Sequence, residues 1–182
     1  MALASVSVST EAALRRTPLH DRHRAAGAKL VPFAGWEMPI QYAGIREEHL
    51  AVRRAAGVFD VSHMGQVTTR GPEAQALLQR LVSNDLRRLP EGGAQYSVLC
   101  NESGGVLDDL YTYRLAECEF LTVTNASNHE RDLAWFQSQA EDFDGVQVSD
   151  GIEEVWCNGV PTYVAAKGAT GEKPGRLVRR GR

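Results

Sequence analysis

Apolar residues recur with two different periods along this chain. Ala74, Leu77, Leu78, Leu81 and Val82 fall on one stripe of a 3.6-residue repeat behind Gly71-Pro72, which predicts a helix with one buried face. Residues 94–100 (AQYSVLC) and 106–115 (VLDDLYTYRL) are instead strand-like runs. The segment Asn101-Glu102-Ser103-Gly104-Gly105 between them carries turn residues, so the two runs predict a hairpin. EFLTVT, Glu119 to Thr124, predicts a third strand beside them. After it, Asn125-Ala-Ser-Asn supplies capping residues for a helix over about 130–141, with Leu133, Phe136, Gln137 and Ala140 spaced to face inward. Val146 and Val148 alternate with polar neighbours, as in a half-buried strand.

Toward the N-terminus the pattern is more broken. Thr17 is placed to cap a short helix over about 18–26 whose first residue is Pro18, with Gly27 past its end. AKLVPFAGWEMPIQY carries Pro32, Gly35 and Pro39 among large apolar residues and reads as a structured loop or short edge strand. Ile45, Val52 and Ala56 follow helical spacing up to Gly57, predicting a partly exposed helix. VFDVSHMGQVTTR (58–70) predicts a strand with a bulge at Gly65. Locally paired strands with irregularly interposed helices indicate an α+β fold, an antiparallel sheet with flanking helices.

Composition narrows the class without naming a function. The 182 residues are 43% hydrophobic and 24% charged, enough for one ordinary globular core. No apolar run approaches the roughly 20 residues that cross a bilayer. A net charge of -3 offers no global attraction to nucleic acid or an anionic membrane, so neither is expected as a partner. The charge is uneven, with a body at -6 over residues 1–150 and a tail at +3 over 151–182. Cys100, Cys118 and Cys157 lack metal or disulfide-framework spacing and read as reduced thiols. That indicates the cytoplasm, or an organelle matrix if the Ser/Ala-rich N-terminus is a transit peptide. A plain disordered extension over residues 1–13 fits that terminus better.

The chemistry centres on the second hairpin strand. Leu107, Asp109, Tyr111 and Tyr113 share one face of a period-2 strand, and Tyr96 can lie across the hairpin from it. A carboxylate among aromatic rings is expected to be partly desolvated, with a raised pKa suited to proton exchange or to hydrogen bonding a nitrogen heterocycle. Pattern alone favours the other reading, that Asp109 caps or buttresses a turn while the tyrosines only pack. Asp108 and Asp109 diverge to opposite faces and do not suggest one metal site. His63 reads as a core or loop histidine, and His20 and His23 as solvated surface residues. Trp36 and Met38 read either as a cavity wall or as anchors for their loop. Phosphate-loop, dinucleotide and G-x-S-x-G fingerprints are absent.

Four segments in order, Arg16-Thr-Pro-Leu-His20, Gly27 to Pro39 (GAKLVPFAGWEMP), Gly57 to Gly65 (GVFDVSHMG) and Tyr96 to Leu110 (YSVLCNESGGVLDDL), resemble the amino-terminal part of the aminomethyltransferase family, the T-proteins of the glycine cleavage system. The resemblance covers about Leu14 to Asp150. It implies an incomplete T-protein-type folate-binding domain and a transferase. Such enzymes pass the one-carbon unit of the aminomethyl group on the lipoyl arm of the H-protein to tetrahydrofolate and release ammonia. The partner implied is lipoylated H-protein. The second Asp of the GG-x-x-DDL motif, Asp109, is implied as the essential carboxylate, which reverses the preference for a buttressing role. Met64, Tyr96, Tyr111, Tyr113 and Asn125 are implied as further folate contacts.

Beyond Asp150 the family pattern stops. The Gly/Arg-rich segment 151–182 forms no clear amphipathic element and is expected to be a divergent terminus, out of frame or otherwise unrelated. The chain alone is therefore expected to be impaired in transfer. The alternatives are a related folate-binding protein outside glycine cleavage and a noncatalytic fragment that binds folate or H-protein.

Overall fold

The computed structural model describes residues 13–151 with their side chains, and beyond them the backbone of three short strands. The expected extension over residues 1–13 and the side chains of the expected divergent tail lie outside the described residues, apart from Ala13 and Gly151. Two compact units are present, Met1–His63 and Met64–Arg182.

The first unit holds α1 (His20–Ala25), an antiparallel hairpin of β1 (Lys29–Phe33) and β2 (Trp36–Gln41), and α2 (Ile45–Arg54). The FAGW segment is the turn of that hairpin, with Ala34 and Gly35 both at positive φ (48° and 79°), as a two-residue turn of this hand requires. Met38 is buried, and Trp36 lies under the Arg15 guanidinium at 4.6 Å, so both anchor the hairpin. Helix α1 is shorter than expected because Thr17 does not cap it. The Thr17 hydroxyl donates instead to Asp60 Oδ2 at 2.6 Å. His20 and His23, expected in solvent, are buried: His20 Nε2 meets Glu37 Oε2 at 2.7 Å and His23 Nε2 meets Asp60 Oδ2 at 2.9 Å. Carboxylates placed by later elements drew both rings inward, which i, i+3 spacing does not reveal. Helix α2 has no buried residue; Glu48 reaches back to accept from the backbone N–H groups of Tyr42, Ala43 and Gly44, closing its first turn.

The second unit is built on a five-stranded, wholly antiparallel sheet. Its strands are β3 (Gly65–Arg70), β4 (Ala94–Cys100), β5 (Val106–Ala116), β6 (Glu119–Thr124) and β7 (Gln147–Asp150), in the order β4-β5-β6-β3-β7. Helices α3 (Ala74–Leu81) and α4 (His129–Ala140) pack on one face, where Leu77, Leu78, Leu81, Phe120 and Phe136 form the centre of the core. The α+β expectation therefore holds. The predicted hairpin is in place, with Asn101 Oδ1 accepting from the N–H groups of Ser103 and Gly105. Past residue 151, the backbone strands β8 (Glu154–Cys157), β9 (Val160–Val164) and β10 (Gly168–Ala169) form a separate antiparallel sheet, a regularity the sequence pattern did not offer.

Three further expectations change. The strand expected over 58–70 starts only at Gly65, and its pairing with β6 runs in register from Gly65–Thr124 to Arg70–Glu119 without a bulge. Residues 58–63 instead bend around Asp60, whose Oδ1 accepts from the Ser62 N–H at 2.9 Å. In α4, Gln137 faces solvent whereas Asp132 and Gln139 are buried. Asn128 occupies the cap position of α4 but makes no side-chain capping bond, because its amide is used on β5.

Candidate functional site

The open face of the sheet gathers the residues singled out on β4 and β5. Val98 pairs with Asp109 and Tyr96 with Tyr111, so Tyr96, Asp109 and Tyr111 are near neighbours on one face, with Tyr113 two residues further along. The Tyr111 and Tyr113 rings sit 5.5 Å apart at 45°. Burial, and then the negative charges of Asp109 and Asp108, push the Tyr96 phenol pKa upward. This face is uncovered, with Tyr96, Tyr111 and Tyr113 exposed at 54%, 42% and 39%.

Asp109 itself is exposed, which corrects the expectation of a desolvated carboxylate. Strand phase separated Asp108 from Asp109 correctly, but the helices cover the opposite face. Asp108 is therefore the buried one, at 5% exposure. Asp108 accepts from the Asn125 backbone N–H (3.2 Å), Asn125 Nδ2 (2.9 Å) and Asn128 Nδ2 (2.9 Å). Burial raises the Asp108 pKa, yet its interactions with Asp132, Asn125 and Asn128 outweigh it and hold the carboxyl below its ordinary range.

Asn125 follows the last residue of β6 and joins the two faces. Its Nδ2 reaches Asp109 O at 3.0 Å and Asp109 Oδ1 at 3.3 Å as well as Asp108. Met64 directly precedes β3 and is half-buried. Since Gly65 pairs with Thr124, Met64 falls beside Asn125 in register. Tyr96, Asp109, Tyr111, Tyr113 and Asn125 thus form one group at the β4-β5-β6 edge, and Met64 borders its Asn125 end.

Sequence reasoning missed Asn128 and Asp132 as supports for this group, and gave Asp108 no role beyond setting aside a metal site. Asn128 and Asp132 are four apart and share one helix face, a signal present in the sequence but pointing nowhere until β5 lies beneath it. His63 is half-buried, its ring edge-on to Phe33 at 5.7 Å. Among the described residues no group of three or more His, Cys, Asp or Glu side chains is arranged to hold a metal ion, and no helix is long and apolar enough to cross a membrane.

A face of tyrosines with an exposed carboxylate and a fixed amide suits a flat, nitrogen-rich ring, stacked on the aromatics and hydrogen-bonded at its edge. The GCVT N-terminal domain family matches residues 19–160. The aminomethyltransferase of Rubrobacter xylanophilus is 59% identical over 141 residues, covering 78% of this chain and 37% of that protein. That of Desulforamulus reducens is 49% identical over 160 residues, covering 88% of this chain and 42% of its own length. The crystal structure of glycine cleavage system aminomethyltransferase T from Bartonella henselae superposes with a TM-score of 0.72 at 43% identity, over 76% of this chain and 38% of that one. This chain thus spans about two fifths of the length of the relatives it matches. By sequence and by fold, the chain belongs to the aminomethyltransferase family through its GCVT N-terminal domain.

Proposed function

We propose that the open face of the sheet is the tetrahydrofolate-binding wall of a glycine-cleavage aminomethyltransferase. Tetrahydrofolate accepts the one-carbon unit of the aminomethyl group carried on the lipoyl arm of H-protein, and ammonia is released. In this reading Asp109 binds the pterin side of the folate and assists proton movement, with Asn125 orienting its carboxylate and Tyr96 beside it on the same face. Tyr111 and Tyr113 stack on the ligand, and Met64 borders it. The observation that carries the reading is Asp109 on the open face between Tyr96 and Tyr111, with the Asn125 amide bonded to its carboxylate.

The same geometry bears on what this chain does alone. Ligand sites bury roughly 70–90% of a small molecule, and one open wall covers much less. The isolated chain binds tetrahydrofolate weakly and transfers little or nothing from aminomethylated H-protein.

Anaerobic titration calorimetry with tetrahydrofolate tests the assignment. Saturable binding that Asp109→Ala abolishes supports it; equal affinity in both proteins overturns it. Robust formation of 5,10-methylenetetrahydrofolate by the chain with lipoylated H-protein would overturn the expected impairment.

A further inference from the structure

Beneath the open face lies a pair of carboxyl groups that the proposed reaction does not use. Asp108 on β5 and Asp132 on α4 are both buried, at 5% and 0% exposure, and interact with each other. Their surroundings differ sharply. Asp108 receives three N–H donors from Asn125 and Asn128. Neither Asp132 oxygen meets an N–H donor, and the Arg131 guanidinium stays 3.6 Å away on a half-exposed side chain. Two adjacent buried carboxyls do not both ionise readily. The proton resides on the one without donors, and that O–H is then donated to the other.

Other charged groups near α4 are engaged elsewhere. On α3, Arg80 pairs with Asp142; on β3, Arg70 pairs with Glu119; on β7, Asp150 pairs with His129. Asp108 from β5 and Arg131 from α4 itself are the charges that bear on Asp132. Burial first, and then Asp108, raise the Asp132 pKa to about 7, against the smaller opposing pull of Arg131.

The consequence runs through one amide. Asn125 Nδ2 touches Asp108 Oδ1 on the buried face and Asp109 O and Oδ1 on the open face. We propose that Asp132 is a positioning residue for Asp109: its O–H bonds Asp108, Asp108 anchors Asn125, and the Asn125 amide holds the Asp109 carboxylate. Loss of the Asp132 proton sets two anions against each other in the core, and the Asn125 anchor loosens. The importance of this chain of contacts rests on the reading of Asp109 as the folate carboxylate, but its physical existence does not.

Nuclear magnetic resonance on the full chain, observing the Asn125 side-chain amide, tests it without any ligand. In the wild type the Asn125 amide signals shift between pH 5 and 8.5 with a midpoint of about 7. In Asp132→Asn, which keeps a donor toward Asp108 but cannot titrate, they hold the low-pH position throughout. In Asp132→Ala, Asn125 amide exchange at pH 6 rises about tenfold, the scale of one lost charge-assisted hydrogen bond. Signals that do not move in the wild type, or that move equally in Asp132→Asn, overturn the proposal. If Asp132→Ala does not fold, the wild-type and Asp132→Asn comparison decides alone. Adding tetrahydrofolate and observing the Asp109 carboxyl carbon tests the folate reading separately, since its failure leaves the Asn125 titration unaffected.

Discussion

His129 occupies the space that a side chain on residue 65 would need: a Cβ placed on Gly65 would fall 1.9 Å from His129 Nδ1 and 2.3 Å from Thr124 Oγ1. The ring is held there by Thr124 Oγ1 at 2.9 Å and by Asp150 Oδ1 at 2.8 Å. Glycine at 65 therefore lets the start of α4 close onto β3, next to the turn that carries Asn125.

Gly65→Ala should destabilise the second unit by about 2 kcal/mol or more through overpacking. His129→Ala removes the obstructing ring, so the double variant should lose less stability than the two single variants added together. Urea unfolding of the four proteins measures the coupling, and strict additivity would refute it.

Asp60 ties the first unit together, its side chain 1% exposed beneath Thr17, His23 and Ser62. Asp60→Ala leaves those donors without their acceptor and should cost about 3 kcal/mol. Near-ultraviolet circular dichroism, which reports on Tyr42 beside His23, should show the loss, whereas Thr17→Val should cost less because it removes only one of the donors.

Acidification should act through the same carboxylate. Burial raises the Asp60 pKa, but the bonds from Thr17, His23 and Ser62 outweigh it and set the folded value well below the ordinary 3.8. A depressed carboxylate contributes stability that is complete above its unfolded value and lost as pH falls toward the folded one. Thermal melts between pH 5 and 2 should decline in the wild type and flatten in Asp60→Asn.

Asp132 carries the opposite sign. With a folded pKa of about 7 against 3.8 for the free group, its contribution is complete below pH 3.8 and is lost as pH rises to about 7. Asp132→Asn should accordingly gain thermal stability over the wild type at pH 8 and show little advantage at pH 4. An equal difference at both values would count against a raised Asp132.

Val58, Phe59 and Val61 in the first unit are exposed at 101%, 69% and 59%, beside a groove of about 510 Å³ that α2 helps to line. Apolar patches of this kind favour self-association. Light scattering at rising protein concentration should show it, and Val58→Ser with Phe59→Ser should reduce it without changing the circular dichroism of the fold.

Much of the second unit was legible because local rules and tertiary packing agree there. The 3.6-residue stripe from Ala74 to Leu81 became α3, and the Asn101–Gly105 turn joined β4 to β5 within a residue of the expected limits. The candidate site was legible as far as strand phase: alternation alone set Asp109 with Tyr111 and Tyr113, and Asp108 against them. Alternation has no sign, however, and does not say which face the helices cover. That choice buried Asp108 rather than Asp109.

The family motifs and the periodicity of the chain determined by themselves an antiparallel α+β domain and the identities of the residues on its tyrosine face. Only the tertiary structure decided the roles that depend on partners far apart in the sequence. Thr17 and His23 meet Asp60, Asn128 and Asp132 meet Asp108, and His129 meets Asp150. A polar side chain near a helix end looks like a cap when only its neighbours are known. A buried acceptor across the fold competes for the same donor and wins, because an unmet charge in the core costs more than an unmet cap at the surface.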